Sequence, residues 1–539
     1  MTFVTERGKG PWLSALVLAG ALATACGDYR EIHPQSVQPP GRVALTRGWA
    51  YVEPDTGTVF FVSVEAGAPK ARVGEVGRFA VKTERRHGPL DHLLVLTQGV
   101  VGARGVEEEA PALWVMPAAA EAPPVKVPLD ARYDQFAQSP DGRFVVMFFG
   151  AMNPGGSAVA FNPNQLAVVD LAEATPVASP RLVPSLGGVP TGIDFSPALV
   201  LPDGARSLVL VRSRNYVTLM DLGQPLRTPI TIPLTLSDDP RVLLPAQVLF
   251  DPMGPFVFVR VVGGSDIFSI RLMPLAPTER QPGGHDFRPV LSQLAAGRAP
   301  RDMALFDAGQ GLRLMVAGAD PDVTVVDPVS SRSLKVPLEH DVGSIVTWAG
   351  ASPGNVMPTA QALLVSSSMP KATFVDLVSL ETLKTRNLEV VNLAAPASDV
   401  VPNTPLLRVV LRHAGSGLTV LDLAARQVLP IGSGSGIFAV RSGPALPNLL
   451  WLLSTSDRLG FLNLSAGQLA VGEVRLDAPV DDVMVTLDTD GTPRVLVSHP
   501  HPLGHVTALD AAAPSRATAR SLEGFWAQDL LSRTERNVR

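Results

Sequence analysis

A chain of 539 residues with 46% hydrophobic and 18% charged side chains is too apolar for disorder and too long for one ordinary core. Its formal net charge is only −5, with no long basic or acidic run, so the electrostatic footprint of a nucleic-acid binder is missing. The apolar residues come in short bursts of Val, Leu and Phe between 47 Gly and 50 Pro, which predicts many strands and turns rather than long helices.

In chain order, residues 1–25 read as a secretory signal peptide. Arg7 and Lys9 charge its start, residues 12–25 are an apolar run too short to span a membrane stably, and small residues precede Cys26. Ala23-Thr24-Ala25-Cys26-Gly27 resembles the bacterial lipobox, although position −3 is Ala23 where the family prefers Leu. That resemblance implies lipidation of Cys26 at the mature N-terminus. Gly27, not Asp, follows it, which in that family favours the outer membrane, facing either the periplasm or the surface. The competing reading is a plain secretory signal with a chance cysteine. Cys26 is the only cysteine, so no intrachain disulfide can form. Residues 26–42 are polar and Pro-rich and suit an extended tether. No later run reaches 18 uncharged apolar residues, so the body is expected to be soluble.

From Val43 to about Gly524 one plan recurs. Its marker is a third strand often closed by Asp: FFVSV (60–64), LWVMP (113–117), AVVDL (167–171), TLMDL (218–222), FSIRL (268–272), TVVDP (324–328), TFVDL (373–377), TVLDL (419–423), GFLNL (460–464) and TALDA (507–511). Positions 170, 221, 271, 327, 376, 422, 463 and 510 are separated by 51, 50, 56, 49, 46, 41 and 47 residues. Four strands in such a period make one propeller blade. The fold class is therefore all-β, a propeller of eight to ten four-stranded blades in one ring or two. Ten units are counted, the first incomplete. The longest step spans residues 274–300, the best candidate for an insertion or a boundary between rings. Outer strands such as VKVPL (125–129) and ITIPL (230–234) carry a proline, tolerable at a sheet edge where the missing N–H has no partner to lose. Residues 525–539 read as a short helix and a basic, frayed tail.

The clearest unit runs from Tyr133 to Leu186. Ser139-Pro140-Asp141-Gly142 sits between two apolar runs, and Asp-Gly there predicts a type I′ hairpin with positive φ at both central residues. SPDGRFVV followed by VVDL resembles the YVTN and WD40-like bacterial propeller families. The Gly-His and Trp-Asp pairs of true WD40 blades are missing. The resemblance implies a fold and no particular chemistry.

Three constellations compete for function. His499, His501 and His505 lie within seven residues and could ligate a divalent cation, although Pro500 and Pro502 splay the rings; the plain alternative is a solvated loop. Asp488-Thr489-Asp490-Gly491 opens like a calcium loop but lacks the remaining ligands, so a turn is expected. Just before the inner apolar runs sit Gln135, Gly192, Gln247, Asp302, Asp399 and Asp482. If Asp302, Asp399 and Asp482 converge at a channel mouth, their repulsion calls for a cation or basic ligand; otherwise each caps a turn in water. Gly432–Gly436 is a flexible turn with no helix behind it to cradle phosphate. No GxSxG, HExxH, P-loop or dinucleotide fingerprint occurs.

The expected function is a lipid-anchored envelope scaffold that binds a protein or small ligand through loops on one ring face, without catalysis and without nucleic acid. The alternative is a metal-dependent hydrolase of the propeller lactonase kind, with its site at the channel mouth.

Overall fold

The computed structural model describes residues 41–526 apart from short stretches, the longest of them 151–161 and 378–387. Ten four-stranded antiparallel sheets follow one another along the chain. They occupy residues 41–75, 80–128, 135–182, 190–233, 244–295, 302–337, 344–392, 397–432, 437–475 and 482–523, blades 1 to 10. In each, the strands lie in chain order from the inner to the outer edge; small extra hairpins interrupt blades 2 and 4. First strands of adjacent blades approach one another, so they form the wall of the central channel.

The second strands explain why the ring forms. Phe144–Phe148 (FVVMF) is buried along its whole length, with no polar alternation. Side chains of a strand alternate between two faces, and here both faces are covered. Val145 and Met147 join a core shared with blade 2, whereas Phe144, Val146 and Phe148 join one shared with blade 4. Ten such cores exist, and each belongs to one pair of neighbouring blades. The last joins blade 10 to blade 1, through Trp49, Tyr51 and Phe60 against Leu496, Val506 and Phe525. The molecule is one closed ring of ten blades, not two rings.

Four expectations need correction. The first unit is complete, because Gly41–Leu45, Gly48–Val52, Thr58–Glu65 and Ala68–Glu75 make a full blade. Residues 274–300 are no boundary. They carry the longest outer strand, Phe287–Ala295, and their loop folds back on blade 4: Asp286 pairs with Arg206 at 2.6 Å and with Arg227 at 3.1 Å, and His285 meets the Thr228 carbonyl at 2.7 Å. Residues 525 and 526 are not a frayed helix. Phe525 is fully buried, and Gly504, with φ +81°, leaves the space its ring fills. Finally, the 139–142 turn is not type I′. Gly142 N–H bonds the Ser139 carbonyl at 2.9 Å, and of the two last turn residues only Gly142 has positive φ, +69°. Pro140 holds φ near −65° and so imposes a type I turn with glycine after it.

Other expectations stand. All ten marker runs are third strands, and the prolines of VKVPL and ITIPL lie on outer strands paired on one side only. Among the described residues no helix is long and apolar enough to cross a membrane.

Candidate functional site

The channel wall has two ends: an upper face where the inner strands begin and a lower face where they finish. At the upper end the inner strands of blades 2, 4, 5, 8 and 9 each begin with a bulge, at Val81, Thr191, Ala246, Ser398 and Phe438. A bulge twists the strand and frees carbonyls from the ladder. Cations of blades 4, 5 and 2 reach backbone carbonyls at the inner strand of the next blade. Arg212 Nη1 donates to the Ala246 carbonyl at 3.2 Å, Arg260 Nη1 to Pro300 at 3.1 Å, and Lys82 Nζ to Phe136 at 2.5 Å.

The three candidate carboxylates stand at the inner-strand starts, as their register demands, but in blades 6, 8 and 10, each with its own partners. Asp302 accepts from Gln247 Nε2 at 3.1 Å and from the Ile345 amide at 2.9 Å, stitching blades 5, 6 and 7. Asp399 lies 3.8 Å from Arg412 Nε. Asp482 receives Arg42 at 2.9 Å and Arg441 at 3.1 Å, joining blades 9, 10 and 1. Asp194 of blade 4 pairs with Arg212 at 2.7 Å, although burial pushes its carboxyl above the usual range. Arginines of the chain stand beside Asp194, Asp399 and Asp482, whereas Asp302 is held by an amide side chain and a backbone N–H.

The histidine loop also has a structural explanation. His499 bonds the Pro479 carbonyl and Thr507 Oγ1, both at 2.8 Å, so both ring nitrogens are engaged. His413 makes the same two bonds in blade 8, to Pro396 and Thr419, with no histidine beside it. His501 Nδ1 accepts the Leu503 amide at 3.2 Å. His505 packs on His499 with ring centroids 4.2 Å apart, its Nε2 3.5 Å from Glu523 Oε1. Burial lowers the pKa of both His499 and His505. Among the described residues no group of three or more His, Cys, Asp and Glu side chains is arranged to hold a metal ion. Asp488-Thr489-Asp490-Gly491 is a turn, closed by the Gly491 N–H on the Asp488 carbonyl at 2.9 Å. Cys26 lies outside the described residues.

On the lower face the acid that ends so many third strands caps the next turn. Asp170, Asp221, Asp327, Asp422 and Asp510 each accept the backbone N–H two residues on. Each also meets an arginine: Arg143 at 2.7 Å, Arg227 at 3.1 Å, Arg313 at 3.5 Å, Arg408 at 3.7 Å and Arg494 at 3.2 Å. Four of these arginines stand at the start of the second strand. The pairing was missed from the sequence, although Arg143, Arg313, Arg408 and Arg494 recur there as regularly as the acids.

The two faces differ in apolar exposure. Among the described residues, nine large exposed hydrophobic side chains lie on the upper face: Phe79, Val81, Val101 and Val106 from blade 2, Val242, Leu244 and Val262 from blade 5, Met369 from blade 7 and Phe438 from blade 9. Of the described residues in that set, Leu90, Val177 and Val329 lie on the lower face, and the remaining six sit on outer strands. Phe79 is 45% exposed and holds φ +58°, a conformation unfavourable for a bulky residue. Hydrogen bonds on both sides pin it there: Gln98 N–H donates to its carbonyl, and Ala80 N–H to Pro54.

No family model matches the chain, and no curated protein matches it. Among solved structures it is similar to dihydro-heme d1 dehydrogenase NirN in complex with DHE, at 15% identity and TM-score 0.42, over 81% of this chain and 74% of that one. Sqt1 of Saccharomyces cerevisiae aligns at 10% identity and TM-score 0.39, over 66% of this chain and 90% of that one. Apo AztD from Citrobacter koseri aligns at 10% and 0.35, over 77% and 93%. Similarity of this order says nothing about what the chain binds.

Proposed function

We propose that this protein is a lipid-anchored, ring-shaped binding scaffold of the cell envelope that docks a protein partner on its upper face. The observation that carries this reading is the concentration of exposed apolar side chains on that face. Water-exposed apolar patches mark interaction surfaces, and Phe79, held exposed in an unfavourable backbone conformation, is the sharpest instance. The ion pairs and hydrogen bonds that join neighbouring inner strands suit the same role, because they tie the blades into one platform. The anchor is Cys26, on the lipobox-like residues 23–27. Several buried acyl chains, at about 0.8 kcal/mol per CH₂, hold a protein firmly at a membrane.

The test is chemical cross-linking in intact envelopes followed by purification of the ring. Phe79→Ser with Phe438→Ser should remove the cross-linked partner while leaving the melting temperature unchanged. Full retention of the partner would overturn the docking face. Cys26→Ser should release the protein from the membrane fraction or block its processing; unchanged association and processing would overturn the anchor.

A further inference from the structure

Blade 2 breaks the lower-face pattern. Its third strand, Ala112–Pro117, ends without an acid, and Asp91, not arginine, precedes its second strand, His92–Thr97. Asp91 turns to blade 1, where it accepts the amides of Thr46 at 2.6 Å and Arg47 at 3.0 Å. Arg85 is left 3.6 Å from Asp91, beyond hydrogen-bond reach, and its buried Nε has no hydrogen-bond partner. Arg86 gives only its Nε, to the Gly142 carbonyl at 2.9 Å. His87 Nδ1 faces the Ser139 carbonyl at 3.1 Å. These three residues, with Arg42, line an open recess of about 720 Å³ between blades 1, 2 and 3.

The residues that line the recess bring three guanidiniums, of Arg42, Arg85 and Arg86, against one carboxylate, Glu84. Arg42 is engaged by Asp481 and Asp482, so Arg85 and Arg86 are the cations with terminal nitrogens to offer. Of the nearby acids, Asp91 holds two amides, and Asp141 accepts from Ser139 Oγ and the Arg143 amide. Only Glu84 lines the recess itself, 4.0 Å from His87 Nε2.

We propose that this recess is a binding site for a small molecule carrying a phosphate group. Two forked guanidiniums offer more donors than the two oxygens of a carboxylate can use, whereas a phosphate monoester presents three terminal oxygens and up to two charges. The volume is in the range of small-molecule sites, and leaves room for the organic part beside the phosphate. Arg85, Arg86 and His87 lie where the inner strand of blade 2 finishes, away from the docking surface, and the site stands or falls independently of it.

The experiment uses the Cys26→Ser full chain, so that no acyl anchor contributes. Calorimetric titration with ribose 5-phosphate and inorganic phosphate, at ionic strength held constant with chloride, reads soluble ligands. Flotation with phosphatidylcholine vesicles containing phosphatidic acid reads a lipid phosphate. The expected result is saturable binding of at least one of these probes, weakened tenfold or more by Arg85→Gln and by Arg86→Gln. Because Arg86 also braces Gly142, Glu84→Gln is the check that does not threaten folding, and it should tighten binding several-fold. Competition by soluble ester tells which source of phosphate the site prefers. No saturable binding of any probe, binding indifferent to both arginines, or equally tight binding of citrate would overturn the proposal.

Discussion

The seam between blades 6 and 7 and the seam between blades 10 and 1 do the same job by different means. The first is a seam within the chain, mostly aliphatic, with Met315, Val325, Leu364 and Val375 among its buried residues. The chain itself delivers the two sheets to each other. Asp341, in the connection, accepts from Ser366 and Ser368 at 2.6 Å and from Arg301 at 2.8 Å. The second seam has no connecting segment. It is aromatic: Phe525 lies 5.4 Å from Tyr51, 5.5 Å from Trp526 and 6.1 Å from Phe60, ring centre to ring centre. Arg42 clamps it by pairing with Asp481 and Asp482 while its guanidinium lies 5.2 Å from the Trp49 ring centre. No strand is exchanged between the termini, because each blade is built from consecutive strands. A ring closed only by side chains needs large ones, since each aromatic buries far more area than a valine.

That contrast can be broken experimentally. Phe525→Ala should have the largest effect, about 3–5 kcal/mol, and should open the ring as well as destabilise it. Small-angle scattering would show the larger radius, and proteolysis would reach blades 1 and 10 first. Val375→Ala, in the interior seam, should cost about 1–3 kcal/mol with an unchanged radius. If Val375→Ala opened the ring as readily as Phe525→Ala, the distinction between the seams would be lost.

Titration sharpens the comparison with smaller effects. Burial pushes the Tyr51 hydroxyl up to about 12, against the lesser opposing pull of Ser498 and Arg42. An unfolded tyrosine loses its proton near pH 10, so the closing seam's stability is fully present below pH 10 and falls between about 10 and 12. Tyr51→Phe should remove about 2 kcal/mol of that alkaline loss, measured by denaturant unfolding across the window. At the interior seam, burial works to raise the Asp341 carboxyl, but the hydroxyls of Ser366, Ser368 and Ser367 together with Arg301 hold it down to about 2. Its contribution is present above pH 4 and lost as pH falls toward 2. Asp341→Asn should flatten that acid loss by about 1–2 kcal/mol, since the group is partly exposed to solvent. An acid loss carried by the closing seam, or an alkaline loss carried by the interior one, would reverse the assignment.

The candidate site was less legible than the fold, and the reasons are visible in particular residues. The inner-strand register placed Asp302, Asp399 and Asp482 at the strand starts correctly. What it could not show is that Arg42 of blade 1 and Arg441 of blade 9 both reach Asp482. The histidine loop looked like a ligand set because three imidazoles are close in sequence. His413, alone in blade 8 with the same two bonds, shows that His499 is a buried strut. The lower-face arginines were within reach of sequence reasoning: an arginine near the start of a second strand and an aspartate at the end of the third recur about 14 to 27 residues apart, a cross-strand pair in a hairpin.

The sequence by itself determined the strands, because their signal is local. A run such as FVVMF is apolar at every position, as a strand covered on both faces requires, short and bounded by turn residues, and its hairpin partners lie within one blade. Repetition of that unit was enough for the architecture and brought the blade count within reach. The tertiary structure alone decided that there is one ring, that Phe525 and Trp526 lock it, and that blade 2 turns Arg85 and Arg86 toward an open recess. These depend on who meets whom across blades, in the clamp's case on residues 439 positions apart. Hydrophobic burial is non-directional, and a charge takes whichever partner the packing brings near, so neither leaves a spacing in the chain to be read.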